Sequence, residues 1–126
     1  MKIEVSIGEV VDKVTILEIK KEKISNPEKL KNIVKEYDLL RAEIEKIGIS
    51  IDSPEYLALK DVNLKLWHIE DNIRIEEMNQ RFGDVFIQLA RSVYFENDTR
   101  AELKKKINLK YGSELIEEKE YVEYKK

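Results

Sequence analysis

The chain has 126 residues, which is enough for one hydrophobic core but not for two. It has no cysteine, which excludes disulfides, thiolate metal sites and a cysteine nucleophile, and its net charge of −3 argues against a dedicated nucleic-acid surface. With a single histidine, a metal site would need mostly carboxylate ligands and would favour Mg²⁺ or Mn²⁺, and nothing in the sequence requires a cofactor.

No apolar run approaches the roughly 18 residues of a membrane-spanning helix, and the N-terminus lacks the apolar core of a signal peptide. We therefore expect a cytoplasmic protein that contacts neither membrane nor nucleic acid. It would be a monomer or a small oligomer.

Two helices are predicted in the first part of the chain. Ser6 begins a capping-box pattern, Ser-x-x-Glu, that opens a helix over 7–25. Asn26 and Pro27 combine an N-cap with a proline at the first helical position, and they start a second helix over 27–47. Because the connection is short, these helices should form an antiparallel hairpin.

Three further helices are predicted after residue 52. Ser53 with Pro54 repeats the cap-plus-proline start, Asp84 is the expected cap of the next helix, and Asn97 with Asp98 the expected cap of the last. The predicted bounds are 54–82, 85–95 and 99–111.

Both ends of the chain alternate polar and apolar residues. Residues 2–5 and 120–124 could therefore pair as a short two-stranded ribbon, although an isolated ribbon is marginally stable. The sequence thus predicts one mainly all-α domain, built from a long antiparallel helical hairpin and further helices. Whether the two ends of the chain pair as a short ribbon stays undecided at this point.

The third predicted helix is apolar on two sides. At about 100° per residue, one stripe contains Leu59, Val62, Leu66, Ile69 and Ile73, and the opposite side carries Leu57, Leu64 and Ile75. Such a helix is either sandwiched between elements or shared with a partner subunit. Trp67 is expected to be a core or interface anchor, and His68 a packed or surface histidine.

Three predicted helices place charges at or beside their apolar stripes. These charges form a candidate polar pocket made of Glu18, Arg41, Glu70, Arg74 and Glu77. If they converge, the carboxylates would act as hydrogen-bond acceptors or metal ligands and the arginines as an anion clamp. The simpler interpretation is that they lie at stripe edges with their charged ends in water, Glu70 and Arg74 forming an ordinary i,i+4 pair.

A second candidate site lies at the predicted turn between the last two helices. Capping accounts for Asn97 and Asp98, but a helix N-terminus beside Arg100 and Arg91 could also bind an anion. The run Lys104-Lys105-Lys106 is expected to be a solvated face.

The string from Ile3 to Lys20 resembles the opening of an uncharacterised domain-of-unknown-function family of small bacterial and phage proteins. Later stretches resemble the same family, namely 66–74, 82–94, 97–100, 107–108 and 112–119. The resemblance implies no activity. It implies that certain polar positions belong to a family pattern, and these are Asp12, Lys13, Glu18, Glu70, Asp71, Arg74, Arg91, Asn97, Asp98 and Arg100.

Two classes of function remain open. The first is a non-enzymatic helical interaction module that forms a homodimer or binds a protein partner, which the two-sided third helix favours. The alternative is a small all-α enzyme, or a protein that binds phosphate or sugar nucleotides, with a carboxylate and arginine pocket inside the bundle. The sequence does not decide whether the protein is an enzyme.

Overall fold

Four helices build the structure, which is a computed structural model that describes residues 1–125. They are α1 (Ile7–Lys23), α2 (Pro27–Lys46), α3 (Pro54–Met78) and α4 (Asp84–Lys110). No strand is present among the described residues, so the predicted all-α fold is confirmed.

The predicted helix starts are observed with their caps. The side chains of Ser6, Asn26 and Ser53 each accept a hydrogen bond from the backbone N–H three residues later, at 3.2, 3.1 and 3.4 Å. Each bond satisfies one of the free N–H groups that a helix N-terminus leaves. Each of these helix starts therefore depends on hydrogen bonds between residues that are close together in the sequence.

The later helix boundaries differ from the prediction. Helix α3 ends at Met78 rather than at residue 82, and Gln80 in the following turn has a positive φ of 54°. Gly83, not Asp84, is the N-cap of α4. The break predicted at Asn97 and Asp98 is wrong, because α4 runs through both residues. Their weak helix propensity costs well under about 1 kcal/mol each, which the tertiary packing of a long helix easily offsets.

The predicted terminal ribbon is also not observed. Residues 2–5 and 120–124 form no strand. The segment after α4 is instead held against that helix by side chains. Tyr124 donates a hydrogen bond to Asp98, and its ring packs edge-on against Tyr94 and Phe95 with centroids 5.1 and 5.4 Å apart.

Helix α1 lies at the centre of the fold. It packs against each of the other three helices, α3 packs against α4, and α2 packs against α1. The core is formed by Val11, Val14, Leu17, Tyr37, Ile44, Ile49, Tyr56, Leu59 and Ile107. None of the helices within residues 1–125 has the length and apolar character needed to cross a membrane.

The distal part of the α3–α4 hairpin contributes nothing to this core. We call residues 64–102 the distal hairpin. No residue in it is buried, and none belongs to the core cluster. Apart from the segment after α4, which packs on Tyr94 and Phe95, and a contact of Arg100 with α1, this part of the molecule consists of two helices packed on each other. Most of their outer surface is exposed.

Candidate functional site

A buried polar network joins α1, α3 and α4. Asp12 is 1% exposed, and its carboxylate accepts two hydrogen bonds from Arg100, from Nε at 2.9 Å and from Nη2 at 2.5 Å. Asn63 donates through Nδ2 to Asp12 at 2.9 Å and to the Thr15 hydroxyl at 2.8 Å. The Thr15 hydroxyl donates to the backbone carbonyl of Asp12. A buried carboxylate thus has a bidentate cation and an amide donor as partners.

The network keeps Arg100 charged. The hydrogen bond from Arg100 to Asp12 raises the pKa of the guanidinium further above its usual value, so Arg100 stays charged. Breaking such a pair by removing one partner leaves an uncompensated charge in the interior. The network therefore fixes how three helices meet.

The sequence reasoning missed Asn63 and Thr15, and it found Asp12 only through the family resemblance. A signal was present in α1, because Gly8, Asp12, Thr15 and Ile19 fall at i, i+4, i+7 and i+11 and share one face. Those four residues are all buried. They form a second inward face of α1 in addition to its apolar stripe.

The same face of α1 meets α4 at very close range. The Gly8 N–H donates to Asn108 Oδ1 at 2.6 Å, and a Cβ at Gly8 would lie 2.5 Å from the Lys104 carbonyl oxygen. The Lys104 ammonium is buried and pairs with Glu9 at 2.7 Å and Glu117 at 2.9 Å. Burial lowers the pKa of Lys104, but these two partners outweigh it and raise the pKa overall. The predicted solvated face therefore excludes Lys104.

A cleft of about 520 Å³ opens beside the polar network, between α3, α4 and α1. Asn63, Trp67 and Asp71 line it from α3, and Asn97 and Arg100 line it from α4. Trp67, the expected anchor, is partly buried there, whereas His68 is exposed. The cleft brings together several of the polar positions that the family resemblance selects.

The five residues of the predicted polar pocket lie in separate places. Glu18 accepts a hydrogen bond from the Tyr56 hydroxyl at 2.5 Å and pairs with Lys60 at 3.2 Å. Arg41 donates to Glu45 at 2.7 Å. Burial, followed by the Glu18 carboxylate, raises the pKa of Tyr56, so its hydroxyl remains a donor. Glu18 and Arg41 thus have partners near the α1–α2–α3 core.

Glu70, Arg74 and Glu77 lie on the distal hairpin instead. Arg74 pairs with Glu70 at 3.1 Å, and the side chains are 73% and 49% exposed. Glu77 is exposed. Among residues 1–125, no hydrogen bond or ion pair joins these three residues to Glu18 or Arg41. No group of three or more acidic or histidine side chains in that range is arranged to hold a metal ion.

The residues of the predicted anion-binding turn lie along an unbroken helix, so no helix N-terminus is present at Asn97. The Arg91 guanidinium lies 5.7 Å from the Phe95 ring centroid. Asp98 accepts from Tyr124 and thereby raises the pKa of that hydroxyl to about 12. Arg100 is bound to Asp12. Of the other three residues of the predicted turn, only Asn97 lines the same cleft as Arg100.

Comparison with known proteins gives one match. No curated protein and no solved structure is significantly similar to the chain. A family model matches residues 1–124, and its description states that the function of the family is unknown. This match confirms the resemblance to a family that has no established activity. The chain belongs to the family of unknown function DUF6165.

Proposed function

We propose that the protein is a cytoplasmic, non-enzymatic interaction module that forms a homodimer through the end of its α3–α4 hairpin. The observation that carries this proposal is a group of exposed apolar side chains in residues 75–87, which we call the hairpin tip. Their exposed fractions are 45% for Ile75, 74% for Met78, 48% for Phe82, 61% for Val85 and 49% for Ile87.

The architecture supports a partner at this position. A helix normally buries its apolar stripe against another layer of structure, but residues 75–87 stay mostly exposed and contribute no side chain to the core. Leu57, on the second apolar side of α3, is also 49% exposed. Two hairpin tips packed side by side would form an antiparallel four-helix bundle with two-fold symmetry.

The hairpin tip contains one ion pair whose charges are matched within the chain. Arg81 binds Glu76 through two hydrogen bonds of 2.9 and 3.1 Å, so both charges are already matched within one chain. Phe82 and Phe86 pack edge-to-face with centroids 5.3 Å apart, which gives the tip a defined shape before any partner binds.

The energetics allow at most a weak dimer that forms at high protein concentration. Burying the remaining half of a large apolar side chain is worth about 1 kcal/mol, so the ten side chains of two tips contribute about 10 kcal/mol. Association costs about 4–15 kcal/mol in lost freedom of motion. At the lowest of these costs a net free energy of about 6 kcal/mol remains, which corresponds to a dissociation constant of about 40 μM, so the expected dimer is weak.

The alternative function has less support. Glu18 and Arg41 are bound to neighbours near the core, and Glu70 and Arg74 are bound to each other. The enzyme alternative required these carboxylates and arginines to form one pocket, but they lie in two separate regions. A catalytic role would need these groups to meet around one substrate.

Sedimentation velocity over a range of protein concentrations tests the dimer. Wild type should change from monomer to dimer as the concentration rises. Met78→Glu should remain monomeric, because it places a charge in the interface. Leu39→Glu is the matched control, since Leu39 is 65% exposed on α2 and away from the hairpin tip. A wild type that is monomeric throughout, or a Met78→Glu variant that still dimerises, contradicts the proposal.

A further inference from the structure

The floor of the 520 Å³ cleft carries an unused hydrogen-bond acceptor. Asn63 is 6% exposed, and its Nδ2 donates to both Asp12 and Thr15. Its Oδ1 accepts no hydrogen bond within residues 1–125, yet it is not sealed from solvent. The amide cannot be reversed, because Oδ1 would then face the Asp12 carboxylate. Because Asn63 lines the cleft, Oδ1 is the atom of its amide that is left to accept a hydrogen bond from a ligand there.

Two further residues of α3 line the cleft beside this acceptor. Trp67 and Asp71 follow Asn63 by one and two helical turns, and both line the cleft. An indole ring attracts cations through its negative face. Asp71 is exposed and forms no ion pair among the described residues. The three residues thus offer a carbonyl oxygen, an aromatic ring and a carboxylate along one helix face.

The two arginines that line the cleft do not make it favour anions over cations. Arg100 is bound to Asp12 through Nε and Nη2, and Arg74 is bound to Glu70. Each positive charge is therefore matched by its own carboxylate, and the negative charge of Asp71 is left over. An anion in the cleft would meet that charge, whereas a cation would be attracted by it.

We propose that this cleft binds an alkylammonium or guanidinium group. The cation would donate a hydrogen bond to Asn63 Oδ1, lie against Trp67 and be attracted by Asp71. A free polyamine and the side chain of a lysine or arginine carry the same chemistry. The volume of the cleft suits either, since ligand pockets range over about 300–1,000 Å³. This site is independent of the proposed dimer.

Trp67 provides the measurement, because it is the only tryptophan of the chain. Butylguanidinium and butylammonium should each produce a saturable change in its fluorescence. N-butylurea, which has nearly the same shape as butylguanidinium but no charge, should not. Equal responses to the urea and the guanidinium, or no saturable response to either cation, overturn the proposal.

A matched pair of variants locates the binding. Asp71→Asn should weaken butylguanidinium binding about threefold to fivefold, since an exposed charge pair is worth up to about 1 kcal/mol. Asp61→Asn removes the same charge from an exposed position of α3 outside the cleft, where Asp61 pairs with Lys65, and should leave the affinity unchanged. An equal effect of both substitutions indicates general attraction to an acidic surface and refutes the site.

Two further probes distinguish the source of the cation. Tighter binding of spermidine than of a blocked Gly-Arg-Gly peptide assigns the site to free polyamines, and the reverse order assigns it to a side chain of a bound protein. Sedimentation velocity on the same samples separates this result from the dimer. A monomeric protein that binds the cations refutes only the proposed dimer, and a dimer that does not bind them refutes only the cleft.

Discussion

Gly8→Ala is the sharpest test of the contact between α1 and α4. Gly8 is the second residue of α1, where replacing glycine by alanine gains at most the roughly 1 kcal/mol that it gains in a helix interior. At Gly8 the new Cβ would lie 2.5 Å from the Lys104 carbonyl oxygen, whereas ordinary contacts begin at 3.4 Å, so the helices must separate by about 0.9 Å. The oxygen belongs to backbone and cannot rotate away.

Two losses outweigh the gain in helix propensity. Overpacking of this kind costs about 1–3 kcal/mol. The separation also stretches the 2.6 Å bond from the Gly8 N–H to Asn108, which is worth about 1 kcal/mol. We therefore expect Gly8→Ala to lower the free energy of unfolding by about 2 kcal/mol.

Urea denaturation followed by circular dichroism measures this change. Gly83→Ala is the control, because a Cβ at Gly83 meets nothing within 4 Å and its φ of −83° suits alanine. It should change the free energy of unfolding by less than about 1 kcal/mol, the usual worth of a glycine N-cap. If Gly8→Ala is neutral or stabilising, the two helices do not approach as closely as described.

Two further predictions concern charged groups. In a double-mutant cycle, Asp12→Asn and Arg100→Met should each destabilise by about 3 kcal/mol, and their coupling should exceed about 1 kcal/mol. The exposed pair Glu70 and Arg74 should couple by less than about 0.5 kcal/mol, and equal couplings would contradict the burial of the first pair. Hydrogen bonds from Tyr111 and Lys110 lower the pKa of Glu55 from 4.5 to about 2. Because the folded pKa is the lower one, Glu55 stabilises the fold above about pH 4.5, and this contribution disappears as the pH falls toward about 2. Glu55→Gln should therefore unfold at lower urea than wild type near neutral pH, with the difference vanishing near pH 2, and a constant difference at both pH values would refute the linkage.

The helix starts were predictable because their causes are local. Ser6, Asn26 with Pro27, and Ser53 with Pro54 each act on backbone groups within three residues. The continuity of α4 was not predictable in this way. Asn97 and Asp98 have the composition of a cap, but tertiary packing holds them inside a helix, and such packing is absent from a local pattern.

The candidate site was less accessible to sequence reasoning. Helical arithmetic places Glu18, Arg41 and Glu70 relative to their own helices, but it does not say which helix faces them. The network around Asp12 illustrates the difficulty, since Arg100 lies 88 positions further along the chain and Asn63 lies 51 positions further. Only the family resemblance selected both Asp12 and Arg100, and it did not pair them.

The central position of α1 has a consequence for how the chain folds during synthesis. Helix α1 is made first, yet its partners Asn63, Arg100 and Asn108 are made 51 to 100 residues later. Until then Asp12 and the Gly8 N–H have only water as a partner. An N-terminal fragment containing α1 and α2 therefore lacks its main polar contacts, and these contacts cannot all form before Asn108 has left the ribosome. In spite of its helical composition, this fold depends on distant contacts, which should slow its folding relative to a bundle of sequential hairpins.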